Sequence, residues 1–310
     1  MGRYVARRLL QMIPVFIGST LLVFLMMYAL PGDPVRALAG EQHVDASQIA
    51  ALKAEYGLDK PIWQQYLDYL GKLLFQGDLG VQIGTQRPVA EVIADAYPIT
   101  VRLAIFAFVF TVVAGISLGI LAGLKAESLR DRGLLGLTLV LISMPSFVLG
   151  FLVQYFFAFQ LGIAKPNVSL EPTNGELIMP AIVLASLSLA YVARLTRTSV
   201  AENIRADYIR TAVAKGLPRR RIVGIHLMRN SFIPVVTFLG TDIGALMGGA
   251  IVTEGIFNIK GVGSLVFEAL GKREGATVVG IVTLLVIVYL VCSLLVDLLY
   301  AVLDPRIRYA

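Results

Sequence analysis

Leu9–Leu30 is an apolar run broken only by small or weakly polar residues, and five more runs of membrane length follow it at Ile99–Leu124, Leu134–Leu161, Leu177–Leu195, Phe232–Thr253 and Thr277–Leu303. A hydrocarbon core of about 30 Å needs roughly 20 such residues in helical form. Backbone groups inside lipid must be satisfied within their own segment, so the runs predict helices rather than open sheet. The expected fold class is therefore an all-α membrane protein with six transmembrane helices. Composition agrees, with 57% hydrophobic and only 15% charged residues. The first run is 22 residues long. That exceeds the core of a secretory leader, so it is read as an uncleaved span although Ala37-Leu38-Ala39 imitates a cleavage site.

The formal net charge of +6 is explained by topology. Arg3, Arg7 and Arg8 precede span one, and Lys125, Arg130 and Arg132 lie between spans two and three. Arg197, Arg205, Arg210, Lys215, Arg219, Arg220, Arg221 and Arg229 lie between spans four and five, with Arg194 at the margin, and Arg306 and Arg308 close the chain. Segment 31–98 instead holds nine acidic and five basic side chains. Basic residues mark the cytoplasmic side, which places both termini inside and predicts no nucleic-acid partner. The expected organisation is a cytoplasmic N-terminus and first span over 1–30, an extracytoplasmic segment over 31–98, a five-helix core over 99–303 with a cytoplasmic loop at 196–232, and a cytoplasmic tail over 304–310.

Segment 31–98 reads as structured. Asp45 is placed to cap a helix over 46–56 that Gly57 stops, and Pro61 opens a second helix carrying Ile62, Tyr66, Leu70, Leu73 and Leu74 at helical spacing. It is either a small cap on the membrane surface or a docking surface for whatever delivers substrate.

Catalytic patterns are lacking in the sequence. It contains no phosphate-binding Gly-x-x-x-x-Gly-Lys-Ser/Thr loop and no His-Glu-x-x-His. His43 and His226 fall on opposite sides of the membrane, and the single Cys292 makes no metal framework. Ser143 and Ser146 flank Met144-Pro145, but no span carries a histidine to activate them. Pro145 instead predicts a kink whose freed backbone groups line a cavity. Asp242 sits near the middle of span five, where a carboxylate is costly. It suits either a cationic group such as a peptide amino terminus or a structural hydrogen bond to a neighbouring helix. Ser143, Pro145, Thr237, Thr241 and Asp242 are thus the candidate translocation pathway. Gly240, Gly244 and Gly248 share one helix face and predict close packing, within the chain or against another subunit.

The stretch Asp207–Arg221 reads DYIRTAVAKGLPRRR, a short charged helix between two membrane runs. Asp207 is the expected N-cap and Gly216 with Pro218 the stop. Tyr208, Ile209, Ala212, Val213 and Gly216 fall on one face, with Asp207, Arg210, Thr211, Ala214 and Lys215 on the other. A second basic helix is expected over Pro218–Arg229. About two turns of helix do not persist in water without packing. Small residues on the apolar face favour docking of another protein over contact with lipid.

Tyr208-Ile209-Arg210-Thr211-Ala212 followed by Ala214-Lys215-Gly216-Leu217 resembles the cytoplasmic coupling motif of permease subunits in ABC importers, most closely the dipeptide/oligopeptide/nickel family and its dipeptide-type first permease. Further matches are Leu30-Pro31-Gly32-Asp33-Pro34, Tyr56-Gly57-Leu58-Asp59, Gly77-Asp78-Leu79-Gly80, Arg229-Asn230-Ser231 with Ile233-Pro234, Thr253-Glu254 with Ile256-Phe257, and Asp304-Pro305-Arg306. The pattern departs in carrying Arg210-Thr211-Ala212 where the general importer motif has Glu-Ala-Ala, and Lys260 where a proline usually precedes Gly261 and Gly263. The resemblance implies a type I ABC importer permease fold in a prokaryotic plasma membrane. It implies a half-pore paired with a homologous second permease, two ABC ATPase subunits that bind ATP and Mg, and an extracytoplasmic peptide-binding protein, with no cofactor in this chain. The implied cargo is dipeptides or short oligopeptides, with nickel or other small solutes as alternatives. A self-sufficient secondary transporter or channel is the competing class, and it expects paired intramembrane charges or internal repeats.

Overall fold

The computed structural model describes residues 2–29, 46–55, 57–82 and 84–303. The Leu30–Pro34 motif, the Ala37–Ala39 triplet, His43, the expected Asp45 cap, Tyr56 and the Asp304-Pro305-Arg306 ending lie outside them. Every extended element among the described residues is a helix, with one isolated bridge between Val81 and Pro88. Five helices are long and apolar enough to cross a membrane: Val5–Met27, Val89–Gly123, Asn174–Asn203, Arg219–Gly248 and Gly275–Leu298. Two bent pairs bring the number to seven if each is one span: Leu129–Ser143 with Ser146–Gln160, at 108°, and Ala250–Phe257 with Val262–Gly271, at 78°.

The described residues group into two compact units. The first takes residues up to Thr100 together with Lys260–Leu294. It contains α1 (Gly2–Ala29), α2 (Ala46–Glu55), α3 (Ile62–Gln76), the start of α4 (Val89–Phe110), α12 (Val262–Gly271) and most of α13 (Gly275–Leu303). Gly57 ends α2 as expected from sequence, with φ +65° and Leu58 N–H reaching the Lys53 carbonyl at 2.8 Å. Leu79, Val89, Ile93, Ala96, Val262, Val266 and Ile281 form one core cluster, and Phe24, Tyr66 and Val279 a second. Gly280 permits the first: a Cβ there would stand 2.8 Å from Val89 and 2.9 Å from the Leu79 carbonyl oxygen. Thr100 Oγ1 accepts the Val262 N–H at 2.8 Å, satisfying a donor at the start of α12.

The second unit takes Val101–Ile259 and residues from Leu295 onward. Its axis is α8 (Asn174–Asn203), buried along much of its length. Around it stand the rest of α4, a π-helical turn at Thr111–Gly115, α5 (Ile116–Gly123), α6 (Leu129–Ser143), α7 (Ser146–Val153) and α11 (Met228–Phe257). Gly115, Gly119 and Gly123 recur every four residues along one face. A Cβ on them would meet Val192 at 2.9 Å, Thr196 at 2.5 Å and Val200 at 2.8 Å. This strip without side chains brings α5 onto α8 nearly backbone to backbone.

Two features go beyond or against expectation. The kink expected at Pro145 is a sharp break in the run 134–161. Met144 and Pro145 take extended conformations (ψ 129° and 138°), so α6 stops and α7 restarts at 108° to it. A residue before proline is driven out of the helical region, and proline itself begins a helix well. No separate basic helix ends near Arg229 either. Helix α10 (Arg219–Arg221) continues through a π-helical turn at Ile222–Leu227 into α11, carrying Pro234 within it.

Candidate functional site

The short helix predicted after span four is present as α9 (Asp207–Ala214). Asp207 is not its N-cap. Ala206 holds that position with ψ 151°, and Asp207 lies in the first turn, where its charge still complements the helix dipole. Its carboxylate stands 3.5 Å from Arg210 Nη1, with both side chains solvent-exposed, so the pair contributes little. Asn203 Oδ1 accepts the Tyr208 hydroxyl at 2.7 Å, tying the helix to the end of α8.

Two residues anchor α9. Ile209 and Ala212 are each 5% exposed, in a cluster with Val200, Ile222, Leu227 and Met228, and Ile120, Leu124 and Leu217 pack at its edge. The expected apolar face is thus divided. Ala212 is small because it meets its own chain, while Tyr208 and Val213 face outward with Asp207, Arg210, Thr211, Ala214 and Lys215. Gly216 closes the helix at φ +70°, with its N–H on the Val213 carbonyl at 2.9 Å and Leu217 N–H on the Ala212 carbonyl at 3.3 Å. Nothing lies within 4 Å of where a Gly216 Cβ would be. The glycine is required by its backbone angle, not by crowding.

A buried ion pair that sequence reasoning missed lies where α6 begins against α8. Asp131, 1% exposed, accepts Arg197 Nε at 2.8 Å on one oxygen and Arg197 Nη2 at 2.6 Å on the other. The Glu127 N–H adds a bond of 2.8 Å, and Ser128 Oγ accepts the Asp131 N–H at 3.4 Å as the α6 N-cap. One turn earlier on α8, Arg194 Nε donates to Thr138 Oγ1 at 2.9 Å. The Ser128-x-x-Asp131 spacing is the one sequence signal for this site, since it marks a capped helix start.

The intramembrane candidates are spread out. Ser143 and Pro145 are exposed at the α6–α7 bend. Thr237 and Thr241 hydroxyls donate to their own helix, at the Ile233 and Phe238 carbonyls. Asp242 is 6% exposed; one oxygen accepts Ser188 Oγ at 2.6 Å across to α8 and the other has no hydrogen-bond partner. Of the glycine stripe, Gly240 packs tightly on Val296, where a Cβ would stand 2.7 Å away, Gly244 is buried, and Gly248 has open space beside it. Among the described residues no three His, Cys, Asp or Glu side chains converge as metal ligands.

Residues 115–309 match the family described as binding-protein-dependent transport system inner membrane component, and residues 1–104 match the N-terminal region of such components. The chain is 39% identical to the dipeptide transport system permease protein DppB of Escherichia coli K12, over all of this chain and 99% of that protein. It is 37% identical to the di/tripeptide transport system permease protein DppB of Pseudomonas aeruginosa, over 99% of this chain and 98% of that one. It is 38% identical to the glutathione transport system permease protein GsiC of Salmonella typhimurium, over the full length of both. An all-helical, multi-pass chain matched end to end in this way belongs to the inner-membrane permeases of binding-protein-dependent ABC importers, non-catalytic subunits whose ATPases are separate chains.

Proposed function

We propose that this chain is half of a pore for dipeptides or short oligopeptides, completed by a homologous second permease and driven by two ATPase subunits that grip α9. The observation that carries the reading is the division of α9. Ile209 and Ala212 fasten it to the membrane core, while Tyr208, Arg210, Val213 and Lys215 are exposed along a capped edge. A helix fixed in this manner transmits a push from a partner to Val200, Leu227 and Met228 without first deforming itself. Asp207, Thr211, Ala214, Gly216 and Leu217 complete the coupling element as first turn, edge, cap and hinge. Six spans with both termini inside, and segment 31–98 outside, are supported by the distribution of Lys and Arg.

Cargo is read from relatives whose printed substrates are dipeptides and di/tripeptides. Glutathione is the second reading, favoured by the likeness to GsiC. Ser143, Pro145, Thr237, Thr241 and Asp242 would lie along or beside the path. The test is purification of the tagged chain with its bound subunits, then reconstitution into liposomes with internal ATP and the extracytoplasmic binding protein outside. Recovery of a second permease and ATPases, with ATP-dependent dipeptide uptake that excess glutathione does not compete, is the expected result. Competition by glutathione selects the second cargo. Uptake by this chain alone without ATP overturns the half-pore.

A further inference from the structure

Helix α3 follows α1 in the segment expected to lie outside the membrane, yet its contacts are with membrane spans. The Tyr66 hydroxyl donates to the Ile17 carbonyl at 3.0 Å and lies 2.9 Å from the Thr20 hydroxyl. The Tyr69 hydroxyl donates to Thr283 Oγ1 at 2.8 Å. Phe24 packs against both, edge-on to Tyr66 with ring centroids 5.4 Å apart and tilted by 31° to Tyr69 at 6.1 Å. Thr20 lies seven residues inside Met27, the end of the α1 span, and Thr283 eight residues inside Gly275, the start of the α13 span. At 1.5 Å per residue those depths are about 10 and 12 Å. Tyr66 and Tyr69 therefore reach well down two spans, and the α3 backbone stands one side-chain length away, beside the last turns of α1.

The rest of α3 is sorted around that contact. Gln64, Gln65, Asp68, Lys72 and Gln76 occupy one arc, interrupted by Phe75, which is 88% exposed. Trp63, Leu67 and Leu74 share the opposite edge of the apolar face and are 66%, 57% and 66% exposed. Leu22, Leu25 and Met26 of α1, which belong to a membrane span, are likewise exposed. A polar arc, a wide apolar face and a tryptophan at one end are the features of a helix lying in the bilayer interface.

We infer that α3 is embedded in the lipid of the membrane interface, with Trp63, Leu67 and Leu74 against acyl chains. The bilayer is the occupant, because the bonds of Tyr66 and Tyr69 to Ile17, Thr20 and Thr283 hold α3 at a level within the α1 and α13 spans, where an exposed apolar stripe meets lipid. The helix then acts as a float that holds the end of α1 and the start of α13 at a fixed level.

Trp63 is the only tryptophan in the chain, which makes the test direct. The full chain is placed in phosphatidylcholine nanodiscs, with either bromine-labelled acyl chains or aqueous iodide as quencher. Trp63 emission is expected to be quenched by brominated chains and severalfold less sensitive to iodide than free tryptophan amide. In a Trp63→Phe background, Leu67→Trp and Leu74→Trp should behave as Trp63 does, while Lys72→Trp and Gln76→Trp should be quenched by iodide. Strong iodide quenching at all positions overturns the inference. Shielding of the stripe that appears only after the extracytoplasmic binding protein is added also overturns it, and assigns the face to protein docking.

Discussion

Gly216 caps α9 through one backbone angle. At φ +70° a β-branched side chain pays the left-handed penalty of about 1–2 kcal/mol, although space beside it is open. Gly216→Val should insert normally and assemble with its ATPases yet lose most ATP-driven uptake, whereas Gly216→Asn, which tolerates the left-handed region, should keep most of it. Parallel uptake by both variants and wild type, measured in liposomes, would remove the geometric argument. Asp131 is the second residue with an outsized role. Asp131→Ala leaves the Arg197 guanidinium, 22% exposed, without its partner, a loss of roughly 1–3 kcal/mol. The readout is a lower midpoint in thermal unfolding of the detergent-solubilised chain. Arg197→Lys should also unfold early, because a single ammonium does not reproduce the two-pronged contact at 2.6 and 2.8 Å.

At the scale of elements, sequence and structure part ways in instructive places. The spans were legible because lipid imposes a length and a polarity that no folding detail can override. Pro145 announced a break but not its size, since an angle of 108° depends on what α7 packs against. The glycines at 240, 244 and 248 and those at 115, 119 and 123 carry the same spacing, yet only contact with α8 distinguishes the tighter seam. Asp207 suits an N-cap and a first turn equally well, so local preference left the register of α9 undecided. Asp131 and Arg197 are 66 residues apart, and nothing local pairs them. Two measurements belong to this scale. Spin labels at 137 and 152 should report a longer and broader distance in Pro145→Ala as the break relaxes toward a continuous helix. Gly119→Val should cost about 1–3 kcal/mol by overpacking, seen as a lower unfolding midpoint, because its Cβ would stand 2.5 Å from that of Thr196.

For the whole molecule, orientation is the property that function most depends on, since the binding protein and the ATPases must meet opposite faces. The lone Cys292 makes this accessible to chemistry. In a Cys292→Ser background, Gln76→Cys should react with a membrane-impermeant maleimide on intact cells, and Lys215→Cys only after lysis. The reverse pattern would invert the topology and displace α9 from any cytoplasmic ATPase.

The seam at Asp131 has a further consequence, for ionic strength. Raising salt from 0.1 to 1 M shortens the screening length from about 10 to 3 Å, but only where ions can enter. The exposed pairs Lys60–Asp68, Arg87–Asp95 and Asp207–Arg210 are open to that screening. Asp131, with 1% of its surface exposed, is shielded from it, although Arg197 is 22% exposed at the edge of the seam. Brine should therefore weaken the proposed ATPase contact at α9 while leaving the α6–α8 joint intact, so that a salt wash would release the ATPases without loosening the pore itself.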